Sequence, residues 1–330
     1  MVQQPILQDP SPYLPEPRSP WPLRIALALL AAAALFFGWR LVRNRAVPSP
    51  VEPVPTAETA PAPLPAPPPA PPAAAPVPSP LTPPAAGAAP TAANLESVSA
   101  LEREGRLAEA RAACLDLLER ATDGPTRDAI EAKAGALALE LVMNPHPMPE
   151  KTDYVVAAGD SVEKIARRFG TTRELVARGN QLANPDRIKR GDRLRVLHGA
   201  FKVQIDKSRK TLALTLNDRF FKRYPIGTGK FGKTPVGTFV IRDRIAQPVW
   251  WRPDGKAIPF GAPENILGTH WLAITPTGDT PPVSGYGIHG TWEEASIGKE
   301  ESAGCVRLRN ADIEALFTLL PVGVEVVIAE

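Results

Sequence analysis

Ile288-His289-Gly290-Thr291 and Ser302-Ala303-Gly304-Cys305-Val306-Arg307-Leu308, whose cysteine lies sixteen positions beyond the histidine, decide how this chain is read. Chemistry on a carbonyl at neutral pH needs a thiolate, a base to generate it, and hydrogen-bond donors aimed at the developing oxyanion. Cys305 can be the nucleophile and His289 the base. Gly304 leaves room for backbone N–H groups near Cys305 to approach an oxyanion, and Gly290 lets its carbonyl bend toward the imidazole and fix its tautomer. Arg307 offers a fork for a substrate carboxylate. Taken singly, a cysteine is usually buried and inert and a histidine usually structural. The constellation is what points to catalysis.

Outward from these motifs the chain is β-rich. Residues 202–205 and 211–216 alternate apolar and polar, and the connection 206–210 suits a hairpin. Gly227, Gly229, Gly232, Pro235 and Gly237 punctuate the stretch before a strand at 238–241. Asn310 is expected to cap a helix bearing Ile313, Leu316, Phe317 and Leu320, ended by Pro321, with a last strand at 324–328. A mainly β, mainly antiparallel sandwich or barrel with one late helix follows, over 200–330.

Tyr224-Pro225-Ile226-Gly227-Thr228-Gly229, Lys233-Thr234-Pro235-Val236-Gly237-Thr238-Phe239 and Gly268-Thr269-His270-Trp271 join the two opening motifs. Together they resemble the L,D-transpeptidase (YkuD) family, over about 201–329. The resemblance implies a cysteine enzyme that attacks peptidoglycan stem tetrapeptides at the carbonyl of their third residue, often diaminopimelate. It would release the terminal D-alanine as a thioester forms on Cys305, then hand the acyl group to an amine, with His289 moving the protons. Tyr286, Trp271, His270 and Ser302 are expected beside Arg307 as substrate contacts, structural roles staying open for His270 and Ser302. Family members commonly carry Ser-His-Gly-Cys. Here the second position is Ala303.

Upstream, 153–198 reads as a βααβ module. Tyr154-Val155-Val156 is a short strand, and Gly159-Asp160 a turn with Asp160 as N-cap and Glu163 at the capping-box position. Val162, Ile165, Ala166 and Phe169 fall at helical spacing, Gly170 stops that helix, and Thr171 or Thr172 starts a second. Gly191-Asp192 leads into a strand at 193–197. These residues, with Asn180 and Ile188, resemble a LysM domain. That resemblance implies binding of N-acetylglucosamine-containing glycan in a groove formed by Gly159, Asp160 and Ser161 with Asn184, Pro185, Asp186, Arg187 and Ile188.

Residues 94–145 read as a helical hairpin, 94–119 and 126–143, of tetratricopeptide type. A single such repeat is expected to act as a spacer or oligomerisation element. Cys114 lies on its apolar stripe as a small buried side chain. Of 40 prolines in the 330 residues, 25 fall within the first 90, so that quarter cannot pack a core. Residues 1–22 are a Pro-rich tail and 43–93 a Pro/Ala-rich linker of semi-rigid, extended character. Between them, 23–42 has the length and apolarity of one transmembrane helix. Around its apolar run, 25–39, Arg40, Arg43 and Arg45 on the C-terminal side outnumber Arg18 and Arg24 on the N-terminal side by one, which would keep the C-terminal side cytoplasmic; wall chemistry instead argues for the periplasm or otherwise outside the membrane, and that is the expectation.

The formal charge of +3, from 38 basic and 35 acidic side chains, argues against a nucleic-acid partner. No His/Cys/Asp cluster has metal-ligand spacing and no cofactor is expected. The expectation is a wall-binding, inner-membrane-anchored transpeptidase with peptidoglycan as partner; a non-catalytic tether, or a hydrolase resolving the thioester with water, are the alternatives.

Overall fold

The computed structural model describes residues 92–122 and 124–330. The expectations for 1–22, for the membrane segment 23–42 and for nearly all of 43–93 lie outside the described residues. Among the described residues no helix is long and apolar enough to cross a membrane.

Three helices come first: α1 (Ala92–Arg103), α2 (Leu107–Arg120) and α3 (Pro125–Met143). The single helix expected over 94–119 is broken at Gly105, whose φ of +75° is a left-handed conformation that glycine enters at little cost. The N–H groups of Gly105 and Arg106 turn back onto the carbonyls of Glu102 and Leu101, at 2.9 and 3.0 Å. Pro125 opens α3, where its missing N–H costs nothing. Val98, Ala110, Cys114, Leu117, Ile130 and Leu137 pack as one cluster, in which burial pushes the Cys114 thiol up to about 11.

The second unit is β1 (Lys151–Val155), α4 (Val162–Phe169), α5 (Arg173–Gly179) and β2 (Arg193–Leu197), with β1 and β2 antiparallel. Val162, Ile165 and Ala166 meet Val176, Leu194 and Val196 in its core. The cap of α4 is Ser161, whose Oγ accepts the Lys164 N–H at 3.2 Å, and not Asp160. The Asp160 carboxylate instead accepts the Ala157 N–H at 2.8 Å and the Tyr154 hydroxyl at 2.6 Å, closing the turn before the helix. Gly170, at φ +66°, ends α4, and Thr172 caps α5.

The rest comprises β3 (Phe201–Asp206), β4 (Thr211–Leu216), β5 (Arg219–Pro225), β6 (Thr228–Gly229), β7 (Gly237–Ala246), β8 (Trp250–Trp251), β9 (Ala257–Ile258), β10 (His270–Pro276), β11 (Gly287–Thr291), β12 (Glu300–Ser302), β13 (Val306–Arg309), α6 (Asn310–Leu319) and β14 (Glu325–Ala329). Eight strands form one sheet in the order β13-β11-β10-β7-β14-β3-β4-β5. It is mixed: β11/β13 and β14/β3 run parallel, the other neighbours antiparallel. Irregularities at Ala273/Ile274 and Leu214/Thr215 bend it. The chain leaving β5 returns to β13 through a Gly227–Arg307 bridge with two 2.9 Å hydrogen bonds. The sheet is thus a near-barrel rather than a sandwich. A Cβ on Gly227 would sit 2.6 Å from the Ser296 carbonyl oxygen, so only glycine fits the seam.

Asn310 does not cap α6 with its side chain; its Oδ1 accepts the Thr269 N–H at 3.1 Å, lashing the helix to the start of β10. Nor do the first helices stand apart as a spacer. Ala138, Leu141, Val142 and Met143 of α3 enter the same apolar core as Phe221, Phe239 and Leu272 of the sheet. Glu131 on α3, 5% exposed, accepts from Arg223 on β5 at 2.5 and 3.0 Å and from Arg127 at 3.0 Å.

Candidate active site

In the parallel pair β11/β13, Ile288 lies beside Val306 and His289 beside Arg307. Cys305 lies in the bend immediately before β13. Cys305, His289 and Arg307 line a cavity of about 450 Å³, together with Ser302, Ala303 and Trp271. A larger cavity of about 730 Å³ lies elsewhere, bordered by the α4–α5 turn and β3.

His289 is 2% exposed. Its Nδ1 lies 2.6 Å from the Gly290 carbonyl oxygen. A carbonyl can only accept, so Nδ1 carries the proton of the neutral ring and Nε2 keeps the lone pair a base needs. Burial pushes the imidazole down to about 4; the carbonyls of Gly290 and Leu267 pull the other way, and the Arg307 charge adds to the fall. Gly290 is needed for a steric reason besides: a Cβ there would lie 2.2 Å from Asn310 Oδ1 and 3.1 Å from Ile313.

The Cys305 thiol is half-buried and donates weakly to the Gly285 carbonyl, 3.8 Å away. Burial pushes its pKa up, opposed by the Gly287 N–H and the Arg307 charge. A thiol pushed up and an imidazole pushed down both favour the neutral form at pH 7. The turn that presents the thiol is held by Ser302, whose hydroxyl donates to the Cys305 carbonyl at 2.7 Å and accepts the Gly304 N–H at 3.0 Å. Hence the Gly304 N–H is already engaged by Ser302. Gly304 has φ +142°, and a Cβ on it would meet the Tyr286 ring at 2.6 Å. Tyr286 thus backs the turn and is not among the cavity residues.

Arg307 is 8% exposed and donates from Nη1 to the Glu293 carboxylate at 3.2 Å. Trp271 faces His289 across the β10/β11 pair. His270 corrects another expectation: one residue along β10, it points to the opposite side, its ring 4.4 Å from Phe317 of α6, and does not line the cavity.

The model of the L,D-transpeptidase catalytic domain matches residues 200–328, and that of the LysM domain residues 154–196. YkuD of Bacillus licheniformis, named as an L,D-transpeptidase, is 34% identical over 181 residues, spanning 52% of this chain and 96% of its own. The chain belongs to the L,D-transpeptidase family. YkuD of Bacillus subtilis is 32% identical over 183 residues, 53% of this chain and 97% of that protein. YbiS of Escherichia coli, also named as an L,D-transpeptidase, is 37% identical over 116 residues, 31% of this chain and 35% of its own. This L,D-transpeptidase is therefore an enzyme with a LysM domain ahead of its catalytic domain.

In the LysM domain, Gly159 is exposed at φ +81°. Asp160 and Ser161 spend their side chains on the turn and on the cap of α4. Asn184 caps the short 3-10 turn Pro185–Arg187, Asp186 pairs with Arg173 at 2.8 Å, and Ile188 packs against the domain core. Val156, just before the first stretch, exchanges hydrogen bonds with Gly191 and Asp192, just after the second, at 2.8 and 2.9 Å.

The outer wall of the L,D-transpeptidase cavity carried no expectation from sequence. It comes from 247–267, between β7 and β10, where Pro248, Val249, Trp250, Trp251 and Leu267 line the cavity. Asn265, 1% exposed, organises this segment: its amide donates to the Pro248 and Ile258 carbonyls at 2.9 and 3.1 Å and accepts the Leu267 N–H at 3.0 Å. The available signal was the Trp250-Trp251 pair between prolines in a long irregular stretch, the kind of loop that carries function.

Proposed function

We propose that this chain is a single-pass, inner-membrane-anchored enzyme whose catalytic and LysM domains face the periplasm, where it acylates Cys305 with a peptidoglycan stem tetrapeptide and transfers the acyl group to an amine. The observation that supports this best is that Cys305, His289 and Arg307 line a single cavity, the two latter side by side on β11 and β13 and the first just ahead of β13.

In this reading His289 Nε2 takes the thiol proton as Sγ attacks the carbonyl of the stem's third residue. The amide C–N bond then breaks, the amine of D-alanine leaves with the proton held by His289, and a thioester remains on Cys305. An acceptor amine attacks that thioester, gives its proton to His289, and releases the thiolate, which recovers the proton. One amide is exchanged for another, so no ATP is needed outside the cytoplasm. Arg307 grips a stem carboxylate. The LysM domain holds the N-acetylglucosamine-containing strand through the Gly159–Ser161 turn and residues 184–188, keeping stems within reach.

Full-length protein in detergent tests this. A carbapenem is expected to add its mass to the peptide containing Cys305, and tetrapeptide stems to release D-alanine, both abolished in Cys305→Ala. Absence of adduct and of D-alanine release would remove the proposal. Amine and water as acceptors separate in the same product mixture as cross-linked dimer and tripeptide. A periplasm-dependent reporter fused after residue 330 tests the orientation.

A further inference from the structure

The cavity around Cys305 has an unusual rim. Ile245, Val249 and Trp251 line it and are nevertheless 46%, 45% and 70% exposed. They are three of the eight large hydrophobic side chains that stand exposed among the described residues. Contiguous exposed apolar surface at a cleft marks a place where something binds. Trp251 is the outermost and the largest of the three. Its backbone is fixed: β8 pairs with β9, Trp251 opposite Ala257, and Asn265 ties both flanks of that hairpin, through the carbonyls of Pro248 and Ile258. A flat indole standing in water on a fixed backbone is a contact surface with few torsions left to order on binding.

What reaches it follows from the polarity of the substrate, and rests on the stem-peptide reading above. The reacting carbonyl lies toward the C-terminal end of the stem, and that end must enter to meet Cys305. The N-terminal end, which hangs from a sugar of the glycan strand, therefore emerges at the mouth. A pyranose ring offers a flat face of C–H groups and hydroxyls around its edge, which suits an indole that is apolar on its face and wet at its rim.

We propose that Trp251 carries a pyranose-stacking subsite at the mouth of the Cys305 cavity, so that the catalytic domain itself reads the sugar bearing the stem peptide. This sugar contact is separate from the LysM domain.

The test compares two acyl donors with the full-length protein, a disaccharide-tetrapeptide and the sugar-free tetrapeptide of the same sequence, by kcat/KM of D-alanine release. The wild type is expected to favour the sugar-bearing donor about fivefold, the size of one aromatic contact. In Trp251→Ala that ratio is expected to fall toward one, and in Trp251→Phe to stay in between. Because the side chain is exposed, the thermal midpoint of both variants serves as the check on folding. A wild-type ratio of one, or a ratio unchanged in Trp251→Ala because both donors slow equally, overturns the inference alone. Turnover of neither donor by the wild type removes the stem-peptide reading and this inference with it.

Discussion

The indole of Trp271 lies over the imidazole of His289, ring centroids 5.5 Å apart and planes 23° from parallel, because the two residues face each other in register on neighbouring strands. The stack shields the face of a ring whose neutrality depends on being kept from water. Trp271→Ala is expected to hydrate His289, raise its pKa toward the ordinary 6.5, and lower kcat/KM about tenfold or more by loosening the base. Trp271→Phe should do less of both. The pH profile of thiol acylation in the three proteins checks this.

With the wild type, the acid limb of that profile is expected near pH 4, since burial holds His289 there. Below the limb the ring is protonated and cannot accept the thiol proton, so the rate falls as pH falls. The same shift couples to stability. The unfolded chain protonates this histidine near 6.5 while the folded chain resists to about 4, so stability present above 6.5 is lost as pH falls through that window. Urea midpoints should decline between pH 7 and pH 4.5, and less so in His289→Gln. A limb at pH 6 to 7 in the wild type would contradict the buried-base picture.

Gly290→Ala places a methyl 2.2 Å from Asn310 Oδ1. The expected cost is about 1–3 kcal/mol, typical of overpacking, because both groups are pinned, one in β11 and the other by its bond to Thr269. Asn310→Ala in the same background should return part of that loss. Equilibrium unfolding of the two single variants and the double variant reads the coupling, and simple additivity would show that the clash is not the cause.

Glu131→Ala leaves Arg223 without the buried carboxylate it grips. A loss of about 2–3 kcal/mol is expected, reduced from the full buried-pair value because Arg223 is partly exposed. Since α3 shares the core of the sheet, helices and sheet should still melt in one transition. Two separate transitions in the wild type would return the helices to the role of a loose spacer.

Sequence was most informative where local rules act alone. Val162, Ile165 and Ala166 at helical spacing, Gly170 as a stop, and the alternation of 211–216 each describe one element and need no knowledge of its neighbours. It was least informative where the partner is distant. Which of Asp160 and Ser161 caps α4 depended on Tyr154 claiming the Asp160 carboxylate, and Asn310 was drawn from capping to Thr269 across the fold. The parallel joins of β11 with β13 and β14 with β3 leave no mark on periodicity. At the site, the residue types of Cys305 and His289 were legible as chemistry. The side on which His270 projects was not, since it follows from the phase of β10 relative to α6. Residues 247–267 have neither helical nor strand period, so their contribution to the cavity was invisible until Asn265 folded them over it.

The seam between Gly227 and Arg307 has a mechanical outcome. A strand at the margin of a sheet is free to peel, yet β13, which begins immediately after the nucleophile, is clasped from both flanks. The thiol is thus mounted on a stiff bracket. In the acyl transfer proposed above, the cargo rather than the bracket would do the bending.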